Sequence, residues 1–264
     1  MRVRELQQAG EKLAAAFDKN VILPEFPCQE SPKDRAEAFI VQDTFLDILR
    51  DDVSGWKLGA TAQELYEDPA HDGATMGRVF AKRDFAGGAQ LPAKLFHGAR
   101  VECEFGFVAL QDVSCDAMQT MQPQDLVGGD HPVFALIPCA EFVGLRFAST
   151  QENPLEVLAD NAANVGLVRG AIFAQFPTDI DFLHHLVSLQ INDRNDFTQL
   201  SGKKRCQPVH ALCDGLQKLA ARAIAITQGQ VITTGSATVP QVLQAGDHVC
   251  CDFDPFGTVE FSLR

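Results

Sequence analysis

The chain carries several segments with the pattern of β-strands, and these segments do not alternate regularly with segments of helical pattern. A doubly wound parallel sheet needs strands and helices in turn, so this order argues against that class. We therefore predict an α+β fold with a mixed β core. The strand-like segments cover residues 100–110, 133–143, 162–174, 186–192, 231–234 and 248–261.

Helical and strand patterns divide the predicted single domain into two parts. A helical N-terminal part covers about residues 1–52, and a β-rich core covers about residues 90–264, with further helical patterns at 153–161 and 209–226. Between the two parts, residues 55–59 have the pattern of a strand. A stretch rich in Gly and Asp at 68–77 is predicted to be a loop or lid. We predict a single domain over residues 1–264.

The charge balance excludes some partners. Lys and Arg total 22 against 35 for Asp and Glu, a formal net charge of −13. Nucleic acids and anionic membranes require a basic face, so neither is expected as a partner. We find no signal-peptide pattern and no apolar run long enough to span a bilayer. The eight cysteines include no C-x-x-C pair, which favours buried free thiols in a reducing cytoplasm.

The most informative segment is a strand that carries two glutamates. Residues two apart in a strand share a face, so Glu102 and Glu104 project together, away from their apolar neighbours. Neighbouring carboxylates repel one another, and a hard divalent cation relieves that repulsion. Glu141, at the end of another apolar run, is our candidate for a third ligand. The alternative is a strand with one solvated face.

A lysine in an apolar, glycine-flanked setting is the second feature. Lys57 lies within GWKLGAT, residues 55–61, and a buried ammonium group requires an anionic partner. Such a lysine would pair with a carboxylate of the protein or of a ligand. The alternative is a side chain that extends along the surface into solvent.

These segments and several others occur in an order that resembles a known family. The shared segments are GWKLGAT at 55–61, ECE at 102–104, PCAEF at 138–142, LADNA at 158–162, ITTGS at 232–236, AGD at 245–247 and GTV at 257–259. This set resembles the 2-keto-4-pentenoate hydratases and their relatives, the 2-oxo-hept-3-ene-1,7-dioate hydratases and 4-oxalocrotonate decarboxylases. All belong to the fumarylacetoacetate hydrolase superfamily.

The resemblance implies a fold, a metal and a reaction. It implies a mixed β-roll core, a single catalytic domain, and a Mg²⁺ or Mn²⁺ ion held by Glu102, Glu104 and Glu141. The family acts on 2-hydroxy-2,4-dienoates from the meta-cleavage of aromatic compounds. Hydratases add water at C4 and give a 4-hydroxy-2-oxo acid, whereas the decarboxylases release CO₂ from a related enol. The expected activity is therefore that of a metal-dependent hydro-lyase.

The resemblance also implies roles for other residues. Lys57 would add positive charge near the substrate's carboxylate or enolate oxygen, and residues 234–236 would bind that carboxylate. Asp160 is a candidate catalytic residue, with support of the site from behind as the alternative. The predicted carboxylate-binding residues are Thr234, Gly235 and Ser236.

The chain departs from the family pattern in its acid–base residues. Thr75 stands where many hydratases have an aspartate, and Asp72, three residues earlier, is our candidate replacement. These departures leave open a decarboxylase, a C–C hydrolase of the same superfamily, or a catalytically silent subunit that binds 2-oxo acids. A second carboxylate on the substrate would need a cation such as Arg78, Arg146 or Lys203.

The resemblance further implies assembly. Family members form homo-oligomers, so we expect one here, acting on a small 2-oxo or 2-hydroxydienoic acid. A decarboxylase or aldolase of the same pathway is a candidate partner.

Overall fold

A computed structural model describes residues 1–96, 98–127, 132–149, 153–177 and 179–264. Two long helices open the chain, and the remaining helices are short except for α6. The side chain of Asp34 accepts a hydrogen bond from the backbone N–H of Glu37 and so caps α2, while proline begins each of the last three helices. The helices are α1 Arg2–Lys19, α2 Arg35–Leu49, α3 Cys115–Thr120, α4 Pro123–Leu126, α5 Pro154–Ala159 and α6 Pro208–Ala221.

The strands of the described residues form two sheets. The large sheet has the order β2-β1-β9-β5-β6-β7-β3, with β10 paired to β5, and the small sheet has the order β4-β12-β11-β8. The strands are β1 Val53–Gly59, β2 Thr75–Phe80, β3 Asp84–Ala86, β4 Ala89–Leu91, β5 Arg100–Ala109, β6 Phe134–Val143, β7 Asn164–Arg169, β8 Ser188–Ile191, β9 Val231–Ser236, β10 Gln241–Val242, β11 His248–Asp252 and β12 Thr258–Leu263.

Both sheets are mixed, which confirms the predicted α+β class with a mixed β core. In the large sheet β1 pairs with β9 in parallel, whereas β5 and β6 form a long antiparallel pair of ten residues each. In the small sheet β12 is parallel to β4 and antiparallel to β11.

Apolar residues fill two main regions. The larger cluster joins one face of the large sheet to the small sheet and to α6, with Phe105, Val249 and Leu216 among its members. The second cluster packs α1 and α2 against Phe80 and Phe147. The N-terminal helical part therefore covers an edge of the β structure. Among the described residues no helix is long and apolar enough to cross a membrane.

The structure corrects three sequence-based boundaries. Strands β2, β3 and β4 begin before residue 90, where the β-rich core was predicted to start, and β2 begins at Thr75, inside the segment predicted as a loop. Residues 248–261 form two strands, β11 and most of β12, because the chain reverses between Phe253 and Gly257. Short strands of this kind depend on their sheet partners, which the sequence pattern does not show. The cysteines are free thiols, and five of the eight are buried, as predicted.

Candidate metal centre

The register of β5 and β6 brings the three predicted glutamates together. Glu102 lies directly opposite Glu141 in the antiparallel ladder, and Glu104 follows two residues later on the same face. One carboxylate oxygen from each residue lies within 4.8 Å of the others. The three side chains are buried, with Glu141 fully so. The alternative of a solvated strand face is therefore wrong.

Lys57 joins this cluster from a strand that is distant in sequence. Strands β1, β9, β5 and β6 are consecutive neighbours in the large sheet, and the ammonium of Lys57 lies 3.5 Å from Glu141 Oε1. Lys57 is 7% exposed, so it does not extend into solvent. Burial by itself would lower its pKa, but the charges of the three glutamates outweigh burial and raise the pKa. In the metal-free site Lys57 is therefore a cation at neutral pH.

An apolar patch lies on the same sheet face as the three buried carboxylates. Burial raises the pKa of Glu102 to about 7, and burial together with the charges of Glu141 and Glu102 raises the pKa of Glu104 well above its usual range. Glu102 and Glu104 are thus costly to ionise in the absence of a cation. The patch consists of Val79, Val108, Ala135, Ile137, Cys139, Leu167 and Val231.

Two side chains that the sequence analysis did not select hold Glu141 in place. Asn164 donates from Nδ2 to Glu141 Oε1 at 2.9 Å, and Thr233 donates from Oγ1 to Glu141 Oε2 at 3.2 Å. Both donors are fully enclosed. Thr233 lies in the ITTGS segment, where the choice of Thr234 rested on the resemblance. For Asn164 the only available signal was a polar residue at the start of a strand.

Asp160 lies behind the cluster in a buried ion pair. Its carboxylate accepts hydrogen bonds from the backbone N–H and from Nε of Arg146, both at 2.7 Å. Arg146 also donates to the carbonyl of Asn164 at 2.6 Å, so the pair fixes the residue that contacts Glu141. This geometry favours the supporting role of Asp160 over the catalytic one.

The three residues predicted to bind a carboxylate lie near the cluster but already have partners. The Gly235 N–H donates to Glu104 Oε2 at 2.9 Å, and the Thr234 hydroxyl donates to the Phe105 carbonyl at 2.6 Å. The Ser236 hydroxyl donates to the carbonyl of Thr238. Direct binding of substrate by Thr234 stays a prediction. The hydrogen bond of its hydroxyl to the Phe105 carbonyl does not favour it, because the hydroxyl already has a buried partner. Gly235 and Ser236 do border the cavity described below.

Gly235 is required by the local backbone. A one-residue register shift between β5 and β9 places Ser236 opposite Glu104 and leaves Gly235 with a φ of 130°. A Cβ at this position would lie 2.1 Å from Thr61 Oγ1. The shift thus turns the backbone N–H of Gly235 towards Glu104 and orients that carboxylate.

A cavity of about 260 Å³ opens beside the cluster. Its wall combines charged groups with small and apolar ones, and it includes the buried thiol of Cys206. Burial raises the pKa of Cys206 to about 12, so this thiol is not a nucleophile at neutral pH. The lining residues are Lys57, Leu58, Gly59, Ala60, Thr61, Ala62, Leu65, Glu102, Glu104, Leu200, Lys204, Cys206, Gly235 and Ser236.

The two candidates for acid–base chemistry are placed differently. Asp72 is 70% exposed, pairs with Arg35 and Lys218, and is not among the residues that line the cavity. A Cβ on Gly59 would lie 2.9 Å from Thr75 Oγ1 and 3.7 Å from Lys57 Nζ. The Thr75 hydroxyl and the Lys57 ammonium therefore both lie beside Gly59, which lines the cavity, whereas Thr75 itself is not among the lining residues. The predicted catalytic role of Asp72 has no support from its position.

The residues present fit a divalent cation. Glu104 Oε1 is buried without a hydrogen-bond partner, which is costly unless another group binds it. Three carboxylates and one ammonium leave a local charge of −2 when all are ionised, and a divalent ion would balance it. The donors are oxygen atoms, which Mg²⁺, Mn²⁺ and Ca²⁺ prefer.

Comparison with curated sequences finds relatives of the kind that the motifs predict. The chain is 24% identical over 209 residues to the 2-keto-4-pentenoate hydratase of Paraburkholderia xenovorans, covering 78% of this chain and 74% of that protein. It is 23% identical over 216 residues to the 2-oxo-hept-4-ene-1,7-dioate hydratase of Escherichia coli, covering 78% and 77%. No family profile matches the chain.

Comparison with solved structures agrees on the fold. The 4-oxalocrotonate decarboxylase of Pseudomonas putida G7, in complex with magnesium and adipate, superposes with a TM-score of 0.80 at 18% identity and covers 99% of this chain and 98% of that one. The predicted resemblance and the predicted fold of the fumarylacetoacetate hydrolase type are both confirmed. The sequence relatives are named as enzymes, and the 4-oxalocrotonate decarboxylase has been solved in complexes with magnesium and with calcium.

Proposed function

We propose that this chain is a metal-dependent hydro-lyase that adds water to a 2-hydroxy-2,4-dienoate and releases a 4-hydroxy-2-oxo acid. The proposal includes Mg²⁺ or Mn²⁺ as the cofactor, Glu102, Glu104 and Glu141 as its ligands, and the meta-cleavage of aromatic compounds as the setting. The observation that carries it is the enclosed group of three carboxylates and Lys57 at the wall of a cavity. The relatives' names supply the reaction class.

Glu102, Glu104 and Glu141 would hold a divalent cation, which would supply Lewis acidity to the 2-oxo acid end of the substrate. The chain's own residues add three things. Lys57 keeps a positive charge beside the position where negative charge develops on the 2-oxygen. Asn164 and Thr233 fix both oxygens of Glu141, so this ligand needs no reorientation during the reaction. The apolar patch strengthens these electrostatic interactions by excluding water.

The hydration step also needs a group that moves a proton. Asp72 pairs with Arg35 and Lys218 and does not line the cavity, so its position does not supply this group. Thr75 supplies a hydroxyl at the space beside Lys57, and we propose that it orients the attacking water in place of the family aspartate. A threonine hydroxyl is a weaker acid–base group than the carboxylate of an aspartate, so we expect slow hydration.

A product analysis tests the proposed reaction. The purified protein is incubated with Mg²⁺ and 2-hydroxypenta-2,4-dienoate, and the products are followed by NMR. The expected product is 4-hydroxy-2-oxopentanoate, and its formation should stop with EDTA and with the Glu104→Gln variant. A protein that binds Mg²⁺ but hydrates neither this dienoate nor 2-hydroxyhepta-2,4-dienedioate, which carries a second, terminal carboxylate, would contradict the hydratase assignment.

Decarboxylation is the second candidate, and one observation favours it. The described cavity wall offers no carboxylate outside the metal cluster and no histidine for activating water, and loss of CO₂ needs no such activation. Release of CO₂ from 2-hydroxyhexa-2,4-dienedioate, without hydration of the five-carbon dienoate, would establish this reaction instead. The predicted homo-oligomer and its pathway partner stay predictions.

A further inference from the structure

Lys204 is the one charged residue of the described cavity wall that lies outside the metal cluster. It is exposed to solvent, whereas Lys57, Glu102 and Glu104 are buried at the inner end. Within the described part of the chain, Lys204 makes no ion pair and no side-chain hydrogen bond. A cation of this kind at a cavity wall is available to an anionic ligand.

The backbone around Lys204 is held firmly, although the side chain is free. The carbonyl of Lys203 accepts a hydrogen bond from the N–H of Glu64 at 2.8 Å, and the carbonyl of Arg205 accepts one from the N–H of Gln63 at 2.9 Å. Arg205 is 1% exposed, and its guanidinium lies 5.9 Å from the centre of the Phe105 ring. These contacts on both sides fix the position of Lys204 at the cavity.

The other cations considered for a second substrate carboxylate are engaged elsewhere. Arg146 is buried against Asp160, and Arg78 lies 3.8 Å from Asp43 and against the face of Trp56. Lys203, the immediate neighbour of Lys204, pairs with Glu67 at 2.7 Å. None of these three lines the cavity.

The wall has a polarity suited to a molecule with two anionic ends. Besides the charged groups it carries small and apolar side chains, including Ala60, Ala62, Leu65 and Leu200. A carbon chain can contact these residues while one anionic end lies at the metal cluster and the other reaches the Lys204 ammonium. A ligand with an apolar end would leave the Lys204 ammonium in contact with solvent alone.

We propose that Lys204 binds the distal carboxylate of a dicarboxylic substrate whose 2-oxo acid end lies at the glutamate cluster. This inference rests on the proposed function and narrows its substrate to a 2-hydroxydienoate that carries a second, terminal carboxylate. Lys204 is then a specificity-determining residue. Its ammonium is a point charge on a flexible stem, so it tolerates some variation in chain length.

A matched pair of unreactive ligands tests this assignment by calorimetry with Mg²⁺ present. The ligands are 2-oxoadipate and 2-oxohexanoate, which share six carbons and differ only in the terminal carboxylate. We expect the unchanged protein to bind 2-oxoadipate about tenfold more tightly. Lys204→Gln should remove this preference without weakening 2-oxohexanoate, and Lys204→Arg should keep most of it. The matched control, Lys203→Gln, should keep all of it.

The outcomes separate this inference from the proposed function. Equal affinities in the unchanged protein, or the same preference in Lys204→Gln as in Lys203→Gln, would overturn the role of Lys204 and leave the metal-dependent 2-oxo acid site intact. If neither ligand binds in the presence of Mg²⁺, both the inference and the proposed function fail. High salt gives a further test. If the preference for 2-oxoadipate disappears at high salt in both the unchanged protein and Lys203→Gln, the result supports an ionic contact by Lys204.

Discussion

Glu102 and Glu141 lie directly opposite each other on neighbouring antiparallel strands, both buried on the same face of the sheet. Like charges in this arrangement destabilise a sheet. Lys57 offsets only part of that repulsion, since a single ammonium faces three carboxylates. The fold therefore holds a strained set of charges at the position where a divalent cation would be most stabilising.

The first prediction concerns removal of one of these charges. Glu104→Gln should make the metal-free protein more stable at neutral pH, by about 1 kcal/mol or roughly 2–4 °C in Tm, because it removes a buried repulsion. The same variant should lose the increase in Tm that Mg²⁺ gives to the unchanged protein. Thermal melts with and without EDTA measure both effects. Glu11→Gln, at an exposed position on α1, is the control and should change neither.

The second prediction concerns pH. The pKa of Glu102 is about 7 in the folded chain, above its usual value of 4.5, so the folded state binds more protons between these values. Its contribution to the stability of the metal-free protein is complete below about pH 4.5 and is lost as the pH rises through about 7. Metal binding must displace this proton and any proton held by Glu104, whose pKa is also raised, so the Mg²⁺ affinity should rise as the pH rises through about 7.

Calorimetric titrations of Mg²⁺ at several pH values, in buffers with different ionisation enthalpies, test this dependence. They report both the affinity and the number of protons released. An Mg²⁺ affinity that is independent of pH across this range would contradict the raised pKa of Glu102.

The third prediction concerns Lys57. Lys57→Met leaves three buried carboxylates without a cation, so the metal-free protein should lose about 3–5 kcal/mol of stability. Mg²⁺ should restore part of this loss, but turnover should stay at least ~100-fold lower, because the charge beside the 2-oxygen is gone. Denaturant unfolding and steady-state kinetics are the measurements. Lys82→Met, whose ammonium is exposed, is the control and should have neither effect.

The fourth prediction separates Thr75 from Asp72. Thr75→Asp restores the acid of the family pattern beside Lys57 and should raise the hydration rate about tenfold or more. Asp72→Asn should change this rate less than about twofold, because Asp72 contacts only surface cations among the described residues. A large loss of activity in Asp72→Asn, with unchanged melting, would show that the proton-transfer role belongs to Asp72.

The fifth prediction concerns the support of Glu141. Asn164→Ala removes the 2.9 Å hydrogen bond to this ligand and should weaken Mg²⁺ binding about 10- to 100-fold. Thr233→Val should have a smaller effect, since its hydrogen bond is longer. Mg²⁺ titration of each variant gives the affinity, and metal-free melts show whether the fold is kept. An unchanged Mg²⁺ affinity in Asn164→Ala would limit this residue to a structural role.

The sequence alone determined the features that depend on local pattern. Period-two spacing placed Glu102 and Glu104 on one face of a strand, and the structure confirms that placement. The irregular order of strand and helix patterns was sufficient for the α+β class. Short strands such as β3 and β4 were missed because three residues carry too little pattern, and their pairing partners lie far away in the chain.

Only the tertiary structure decided which distant residues meet. Strand order in the large sheet brings Lys57 to Glu141, 84 positions along the chain, and the β7 register brings Asn164 there as well. It also separates two adjacent lysines, since Lys203, the residue selected from the sequence, pairs with Glu67 whereas Lys204 lines the cavity. Periodicity fixes the face on which a side chain lies, but sheet pairing and burial fix its neighbours, and those neighbours set its charge state and its chemistry.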